Sequence, residues 1–261
     1  MPTFSDLRVL IADDIATAGV ERLRAVAQVD VDAEITAAQL LARIHGYHAL
    51  VVRSRTKVDS ALLAAAAQLR VVGRAGVGVD NVDVEAAAAR SVIVVNSPLA
   101  ATTAVAELTL ALMLAVARQV PLADAAMKQG EWPKKKLQGA ELEGKTLGLI
   151  GFGRIGREVA RRAQVFGMRI VCTARGGLID EAALLSALES GRVAAAGLDV
   201  FATEPHGASA LVRHPHVVAM PHVGAQTAEA QERAGVDIGD EVAAALTGKS
   251  LRWRVLPDPT G

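Results

Sequence analysis

With 261 residues, the chain has room for one large or two modest domains, each with its own core. Half of the residues are apolar (51%), 21% are charged and only 3% are aromatic, which suits sheets covered by helices and excludes a disordered chain. Basic and acidic residues balance at 28 each, so no net field draws nucleic acid or an anionic membrane. The single cysteine, Cys172, has no internal partner for a disulfide, and the start of the chain lacks a secretory layout. Both features lead to the expectation of a soluble, cytoplasmic protein.

The first hundred residues alternate short β-branched runs with alanine-rich helical stretches. Strands are predicted at Leu7–Ala12, Ala49–Arg53, Leu69–Gly73 and Ile93–Asn96, with a weaker one at Val29–Val31. Helices are predicted at Gly19–Val26, Ala37–Ile44, Ser60–Ala67 and Val84–Ala89. Such alternation predicts a doubly wound parallel sheet, whose ligand contacts gather in the loops after strands. Two of those loops stand out, Arg53-Ser54-Arg55-Thr56 and Arg74-Ala75-Gly76-Val77-Gly78.

After Pro98 a long helical pattern runs to about Gln119. It is apolar, but Glu107, Arg118 and several threonines make it a buried helix between domains rather than a membrane span. A polar segment follows from Asp124 to Glu143, including Trp132-Pro133-Lys134-Lys135-Lys136, most simply a solvated loop. The alternative is that its lysines reach an anionic group. A second strand–turn–helix unit begins at Thr146. It is followed by a strand at Arg169–Thr173, a helix from Asp180 to Ser190, strands at Ala194–Val200 and Val217–Met220, and a final helix from Thr227 to Leu246. No internal repeat is present.

Gly151-Phe152-Gly153-Arg154-Ile155-Gly156 carries the G-x-G-x-x-G spacing. The motif alone is weak, but here it follows an apolar strand and opens an amphipathic helix, as a dinucleotide-phosphate turn requires. Gly151 allows the tight turn, Gly153 lets backbone approach a pyrophosphate, and Gly156 lets helix pack on strand. An acid about 20 residues on, at the end of the next strand, normally holds the ribose hydroxyls. It is absent, since that strand runs Val171-Cys172-Thr173-Ala174-Arg175. Taken alone, Arg175 suggests the 2′-phosphate of NADP.

Three later segments carry polar residues where an α/β sheet places its loops: Ala174 to Asp180, Leu198 to Pro205, and Pro221 to Ala225. Hydride transfer from a 2-hydroxy acid needs a cation to grip the carboxylate, for which arginine's planar fork is best suited. It also needs a base near neutral pKa and a carboxylate to orient that base. Of six histidines, His222 alone follows a strand and a proline and precedes a glycine, so it is the candidate base, with a capping or packing role still open. His45 and His48 read as surface residues. His206, His214 and His216 sit in a loop without an acid or cysteine to complete a metal cluster, so no metal is expected.

In order along the chain, these segments resemble the D-3-phosphoglycerate dehydrogenases of the D-isomer-specific 2-hydroxyacid dehydrogenase family, the animal type above all. The matching stretches are Val51–Ser54, Val72–Asp83, Gly144–Gly148, Gly153–Ala160, Ala174–Gly177 and Pro221–Ala225. The resemblance implies two doubly wound α/β domains, flavodoxin-like and Rossmann. Residues 1–97 with 226–261 would bind substrate, and 98–225 would bind NAD. By resemblance, Arg175 grips the substrate, His222 is the acid/base, and Glu204 is its carboxylate partner. Arg53, Arg74 and Gly76 fall where the family receives substrate. Val77, Arg154, Ile155, Thr173, Ala174, Asp199, Gly224 and Ala225 fall where it contacts NAD, beside Gly151, Gly153 and Gly156.

One departure is large. Gly167-Met168-Arg169-Ile170-Val171 runs directly into Cys172-Thr173-Ala174-Arg175, so about 60 residues, two strand–helix units, are missing near 171 by resemblance. Either the second sheet closes up with fewer strands or it carries a gap, leaving backbone groups that are costly to bury unpaired. The resemblance therefore implies NAD-dependent oxidation of D-3-phosphoglycerate, a step of serine biosynthesis, impaired by the deletion. A reductase of hydroxypyruvate or glyoxylate, and a non-catalytic NAD-sensing protein, are the alternatives. A homodimer or homotetramer is implied, with no nucleic acid or membrane partner, and the chain's end implies no regulatory domain.

Overall fold

The computed structural model describes residues 6–173, 180–205 and 209–257, with the backbone alone at 150, 172 and 173. The chain divides into two compact units, Met1–Ala101 with Thr227–Gly261, and Thr102–Gln226.

In the first unit the β-branched runs become β1 (Arg8–Ile11), β2 (Gln28–Val31), β3 (Ala49–Val52), β4 (Val71–Arg74) and β5 (Ile93–Asn96). Their helices are α1 (Thr17–Arg24), α2 (Ala37–Arg43), α3 (Ser60–Ala65), α4 (Val84–Ala89) and, from the far end of the chain, α10 (Ala228–Leu246). The strands pair parallel, and the terminal β10 (Arg254–Val255) adds antiparallel to β5, giving the order β10-β5-β4-β3-β1-β2. Period-two alternation sends Leu10, Leu50, Val52, Val72 and Val94 to one face, against Leu40, Leu62 and Ala87 of the helices. Val9, Ile11, Val51, Val71 and Val95 go to the other, against Leu23, Ile238 and Val242. Burial on both faces explains why β1, β3, β4 and β5 read as nearly continuous apolar runs, whereas the edge strand β2 does not.

Side-chain caps start the helices where the sequence places them: Thr36 closes a capping box with Gln39, and Asp59, Asp83 and Thr227 each accept a first-turn N–H. The two-residue β10 carries no pattern a sequence reading could use. Glu241 secures it from α10: only 1% exposed, its carboxylate accepts the backbone N–H groups of Arg252 and Trp253 and the Arg252 Nε.

In the second unit the long helical pattern splits. It forms α5 (Thr102–Ala117) and α6 (Val120–Lys128), because Gln119 takes a left-handed backbone (φ 53°) and Pro121 restarts the helix in its first turn. The expected polar loop from Asp124 therefore begins as helix, and Lys128 pairs with Asp124 one turn back at 2.6 Å. Then come β6 (Thr146–Ile150), α7 (Arg154–Val165), β7 (Arg169–Thr173), α8 (Glu181–Glu189), β8 (Ala196–Leu198), the short α9 (Ala210–Arg213), which the sequence does not announce, and β9 (Val217–Ala219).

These strands form two separate parallel pairs, β6-β7 and β8-β9, with no ladder between them among the described residues. Among the described residues this is a divided arrangement rather than one closed-up sheet. The core of this unit is divided likewise. Leu110, Ala163 and Met168 gather beside β6-β7, and Leu188, Leu198, Phe201 and Leu211 gather beside β8-β9. Helix α5 packs against α7 and against β8 and β9, tying the halves together. Its approach to β8 is so close that a Cβ on Gly197 would sit 2.9 Å from that of Leu112.

No single helix among the described residues is long and apolar enough to cross a membrane.

Candidate functional site

The glycine turn has the local geometry its spacing calls for. Gly151 lies at φ +89°, a region open to glycine. A Cβ on Gly156 would stand 2.5 Å from the Gly151 carbonyl oxygen, so the close packing of α7 on its strand depends on that glycine. At Gly151 and Gly153 an added Cβ would meet nothing within 4 Å, leaving the concave side of the turn open. Gly153 caps α7, whose first-turn N–H groups, including those of Arg154 and Ile155, have no intrahelical acceptor. Free N–H groups at the positive end of a three-turn helix are what an anion cradle requires.

His222 sits just past β9, and its ring Nδ1 lies 2.7 Å from Glu204 Oε2. The other carboxylate oxygen of Glu204 accepts the Phe201 N–H at 3.0 Å. Burial pushes the Glu204 carboxyl up, but the bonds from His222 and Phe201 outweigh it and hold the group below its usual range. An ionised Glu204 fixes the proton of His222 on Nδ1 and leaves Nε2 for proton exchange. The imidazole is 60% exposed, so it is open to a reactant.

Asp199, just after β8, shapes the loop that carries this ring. Its carbonyl accepts the His222 N–H at 2.9 Å, and its two carboxylate oxygens accept the N–H groups of Val223 and Gly224, each at 2.8 Å. Held this way, His222 keeps a left-handed backbone (φ 54°), uncommon for a residue with a side chain. Gly224 packs closely where it stands: a Cβ there would lie 3.0 Å from Asp199 Oδ2 and 3.1 Å from Val105, so either side chain would have to give way slightly.

In the other unit, Arg53 follows β3, and Arg74 ends the adjacent strand β4. The Arg74 guanidinium is partly buried, and its Nε has no hydrogen-bond partner among the described residues. Burial pulls its pKa below the usual value; Asp80 opposes this, Arg53 adds to it, and Asp13 opposes it. A lone buried guanidinium nitrogen beside a second arginine is a place an anion would stabilise. Gly76 (φ +148°) passes so close to Arg74 that a Cβ would collide with the guanidinium. Asn96 Nδ2 holds the Val77 carbonyl at 2.6 Å, and the Ser97 N–H holds that of Gly76 at 2.9 Å.

The structure thus brings Glu204, His222, Asp199 and Gly224 together in one unit, and Arg53, Arg74 and Gly76 together in the other. Ala225 follows directly on the His222 loop. Arg175 and Ala174 lie outside the described residues, as does His206, and of Thr173 the backbone alone is described, paired with Ile150. Among the described residues no three His, Cys, Asp or Glu side chains gather as a metal site. His48 is not the surface residue expected. It is partly buried, and its Nδ1 accepts the Arg8 N–H at 3.2 Å, because the turn before β3 folds back onto β1. Two residues that the sequence reading passed over hold the Arg53 loop, Asp13 and Asn81. An acid just past β1 was the available signal, since strand ends are where such sheets collect ligand contacts.

The model of the D-isomer specific 2-hydroxyacid dehydrogenase catalytic domain matches residues 9–256. The chain belongs to that family. It is 38% identical to a D-3-phosphoglycerate dehydrogenase of Methanocaldococcus jannaschii, covering 93% of this chain and 58% of the relative. It is 41% identical to that of Rattus norvegicus, covering 82% and 51%. The chain therefore spans a little over half the length of these relatives. Among solved structures, a Thermus thermophilus protein superposes with a TM-score of 0.87 at 30% identity, covering 96% of this chain and all of its own (100%). A glyoxylate reductase from Paecilomyes thermophila superposes at 0.86 and 27% identity, covering 98% and 99%.

The alignment with the M. jannaschii relative runs over 304 residues yet uses 93% of 261, so about 60 residues of that relative have no counterpart here.

Proposed function

We propose that this chain is an NAD-dependent dehydrogenase that oxidises D-3-phosphoglycerate at C2 to 3-phosphohydroxypyruvate, the entry step of serine biosynthesis, at a reduced rate. The observation that carries the reading is the His222–Glu204 pair at 2.7 Å, on a loop fixed by Asp199. The names of the relatives and the paired arginines Arg53 and Arg74 support a substrate with two anionic groups.

In this reading the first unit is the substrate-binding domain and the second the cofactor-binding domain. Gly151, Gly153, Gly156 and the first turn of α7 with Arg154 and Ile155 would hold the pyrophosphate of a dinucleotide. When bound, the nicotinamide group supplies the acceptor for the hydride that leaves C2. His222 Nε2 takes the hydroxyl proton as the C2–O bond becomes a carbonyl, and Glu204 stabilises the imidazolium that results. A base so placed is worth about 10²–10⁴ in rate. Arg53, Arg74, Gly76 and, by resemblance, Arg175 bind the acid's charged groups. Val77, Thr173, Ala174, Asp199, Gly224 and Ala225 belong to the proposed cofactor contacts.

The ribose end fits less well, because β7 reads Arg169-Ile170-Val171-Cys172-Thr173 and offers no acid to the ribose hydroxyls. We place the missing segment of about 60 residues, two strand–helix units' worth of chain, at this point. The split of the second sheet supports that placement, and it is the reason for the reduced rate. The same reading makes the assembly a homodimer or homotetramer in the cytosol.

The test is NADH formation with D-3-phosphoglycerate, D-glycerate and glycolate as substrates, compared by kcat/KM. A preference of at least about 10-fold for the phosphorylated acid is expected, as for other charge-paired groups. Equal use of all three would favour the second reading, a reductase of small unphosphorylated 2-keto acids, which the likeness to a glyoxylate reductase supports. The absence of turnover together with no thermal stabilisation by millimolar NADH would remove both.

A further inference from the structure

We propose that Asp13 is a positioning residue. With Asn81 it presets the Arg53 loop, and through Arg53 it sets the preference for a phosphorylated over an unphosphorylated 2-hydroxy acid. The inference rests on the reading above, in which Arg53 binds substrate.

Asp13 lies just past the end of β1, with its side chain 4% exposed. Its Oδ2 accepts the backbone N–H of Arg53 at 2.6 Å and that of Thr56 at 3.2 Å. Its Oδ1 accepts Arg55 Nε and the Thr56 hydroxyl, both at 2.8 Å. Four donors on one carboxylate fill its four lone-pair positions. From the opposite side, Asn81 Nδ2 donates to the carbonyls of Arg53 and Thr56, at 2.7 and 2.6 Å. The backbone donor and acceptor of both residues are thereby consumed, and the loop is held at its two ends by two side chains.

The clamp divides labour between the loop's arginines. Arg55 is spent internally: besides Asp13, its guanidinium donates to the carbonyls of Ile35 and Ala12. Among the described residues, the Arg53 guanidinium makes a single long contact, 3.4 Å to the Asp14 carbonyl. A buried carboxylate is costly unless fully satisfied, and this one is satisfied by the segment that presents Arg53. Fixing that backbone during folding removes an ordering cost from ligand capture, which is the advantage of preorganisation.

The experiment titrates this chain, by calorimetry, with D-3-phosphoglycerate and with D-glycerate, comparing wild type, Asp13→Asn, Arg53→Met and the double variant. Asparagine keeps the shape but presents an amide N–H where two donors now point. The Kd for D-3-phosphoglycerate is expected to rise about 10-fold in Asp13→Asn and that for D-glycerate less than about 2-fold. In the Arg53→Met background, Asp13→Asn is expected to add nothing. Equal weakening of both acids, or the same loss with Arg53 already removed, overturns the proposal, since a merely structural Asp13 would behave that way. Should Asp13→Asn not fold, Asn81→Ala removes the other half of the clamp and carries the same expectations.

Failure of the substrate assignment is separable. A wild type that binds both acids equally well contradicts that assignment and with it the preference ascribed to Asp13, whereas a wild type that prefers the phosphorylated acid and keeps that preference in Asp13→Asn overturns the positioning role alone. If Arg53→Met changes neither Kd, the positioning role falls while recognition through Arg74 stands. A wild type that binds neither acid overturns both.

Discussion

Glu204 and His222, 18 positions apart in the chain, meet at 2.7 Å, carboxylate oxygen to ring Nδ1. Neither residue's own strand or helix creates this contact. It exists because β8 and β9 pair in parallel, Leu198 opposite Ala219, so that the loops beyond both strands emerge at the same edge. Asp199 then ties one loop to the other through three hydrogen bonds.

Replacing Glu204 with glutamine removes the charge that orients His222. The expected result is an about 10- to 100-fold lower kcat in the NADH assay. The ring-nitrogen shifts of His222 should also move toward a mixture of tautomers. A wild-type-like ¹⁵N spectrum in the variant would contradict the orienting role. The same substitution has a pH signature. The folded-state pKa of Glu204 lies below its unfolded value, so its contribution is present above the ordinary carboxylate range and is lost as pH falls through the folded value. Acid unfolding of Glu204→Gln, followed by circular dichroism, should therefore be less steep below pH 4.5, the ordinary value.

Gly76→Ala should act on Arg74. The alanine methyl collides with the guanidinium and meets a backbone at φ +148° that side chains avoid. A cost of about 1–3 kcal/mol in urea unfolding is expected. A Kd for D-3-phosphoglycerate raised at least about 10-fold should accompany it. Full stability with unchanged affinity would show that Arg74 is free to move aside.

His48 gives the first unit a titration near neutrality. Burial is the largest influence lowering its pKa, and Arg70 and Arg8 add to it, against a weaker pull from Asp6. Its folded value lies below the unfolded 6.5, so the unfolded chain binds the extra proton first. Stability is therefore complete above that pH and declines below it, as the bond from the Arg8 N–H to the neutral ring is lost. Thermal unfolding of His48→Gln should show a flatter stability profile as pH falls below 6.5; a parallel profile would assign the slope elsewhere.

The second unit should open first. Strands β3 and β4 are buried on both faces, whereas β8 has an exposed Gly197 and β9 is half-buried throughout. Amide exchange at Gly197 and Val218 is expected to be at least about 100-fold faster than at Val51 and Val72. Comparable protection would mean that the divided sheet costs this unit little.

Much of the fold is legible in one dimension because its signals are local. Ile93–Asn96 and Arg169–Thr173 are strands at the bounds their β-branched runs suggest, and Val84–Ala89 is a helix behind its Asp83 cap. The glycine turn is legible for the same reason, since φ at Gly151 and the packing at Gly156 are set within six residues. The break at Gln119 is not, because one left-handed residue inside an apolar run leaves no periodic mark. Short α9 and β10 escape for want of length.

Chain order and residue chemistry were enough to single out His222 and the arginine-bearing loops, because strand-end loops and a glycine spacing are properties of neighbours in sequence; Glu204 as the partner of His222, and the roles of the arginines, came from the family resemblance. Which backbone groups Asp13, Asp199 and Asn81 would satisfy depended on partners up to 43 positions away, and only the folded chain brings those donors and acceptors together. The same is true of the divided second sheet: strand pairing is a contact between distant segments, and residues that would make a good strand do not say which neighbour they will find.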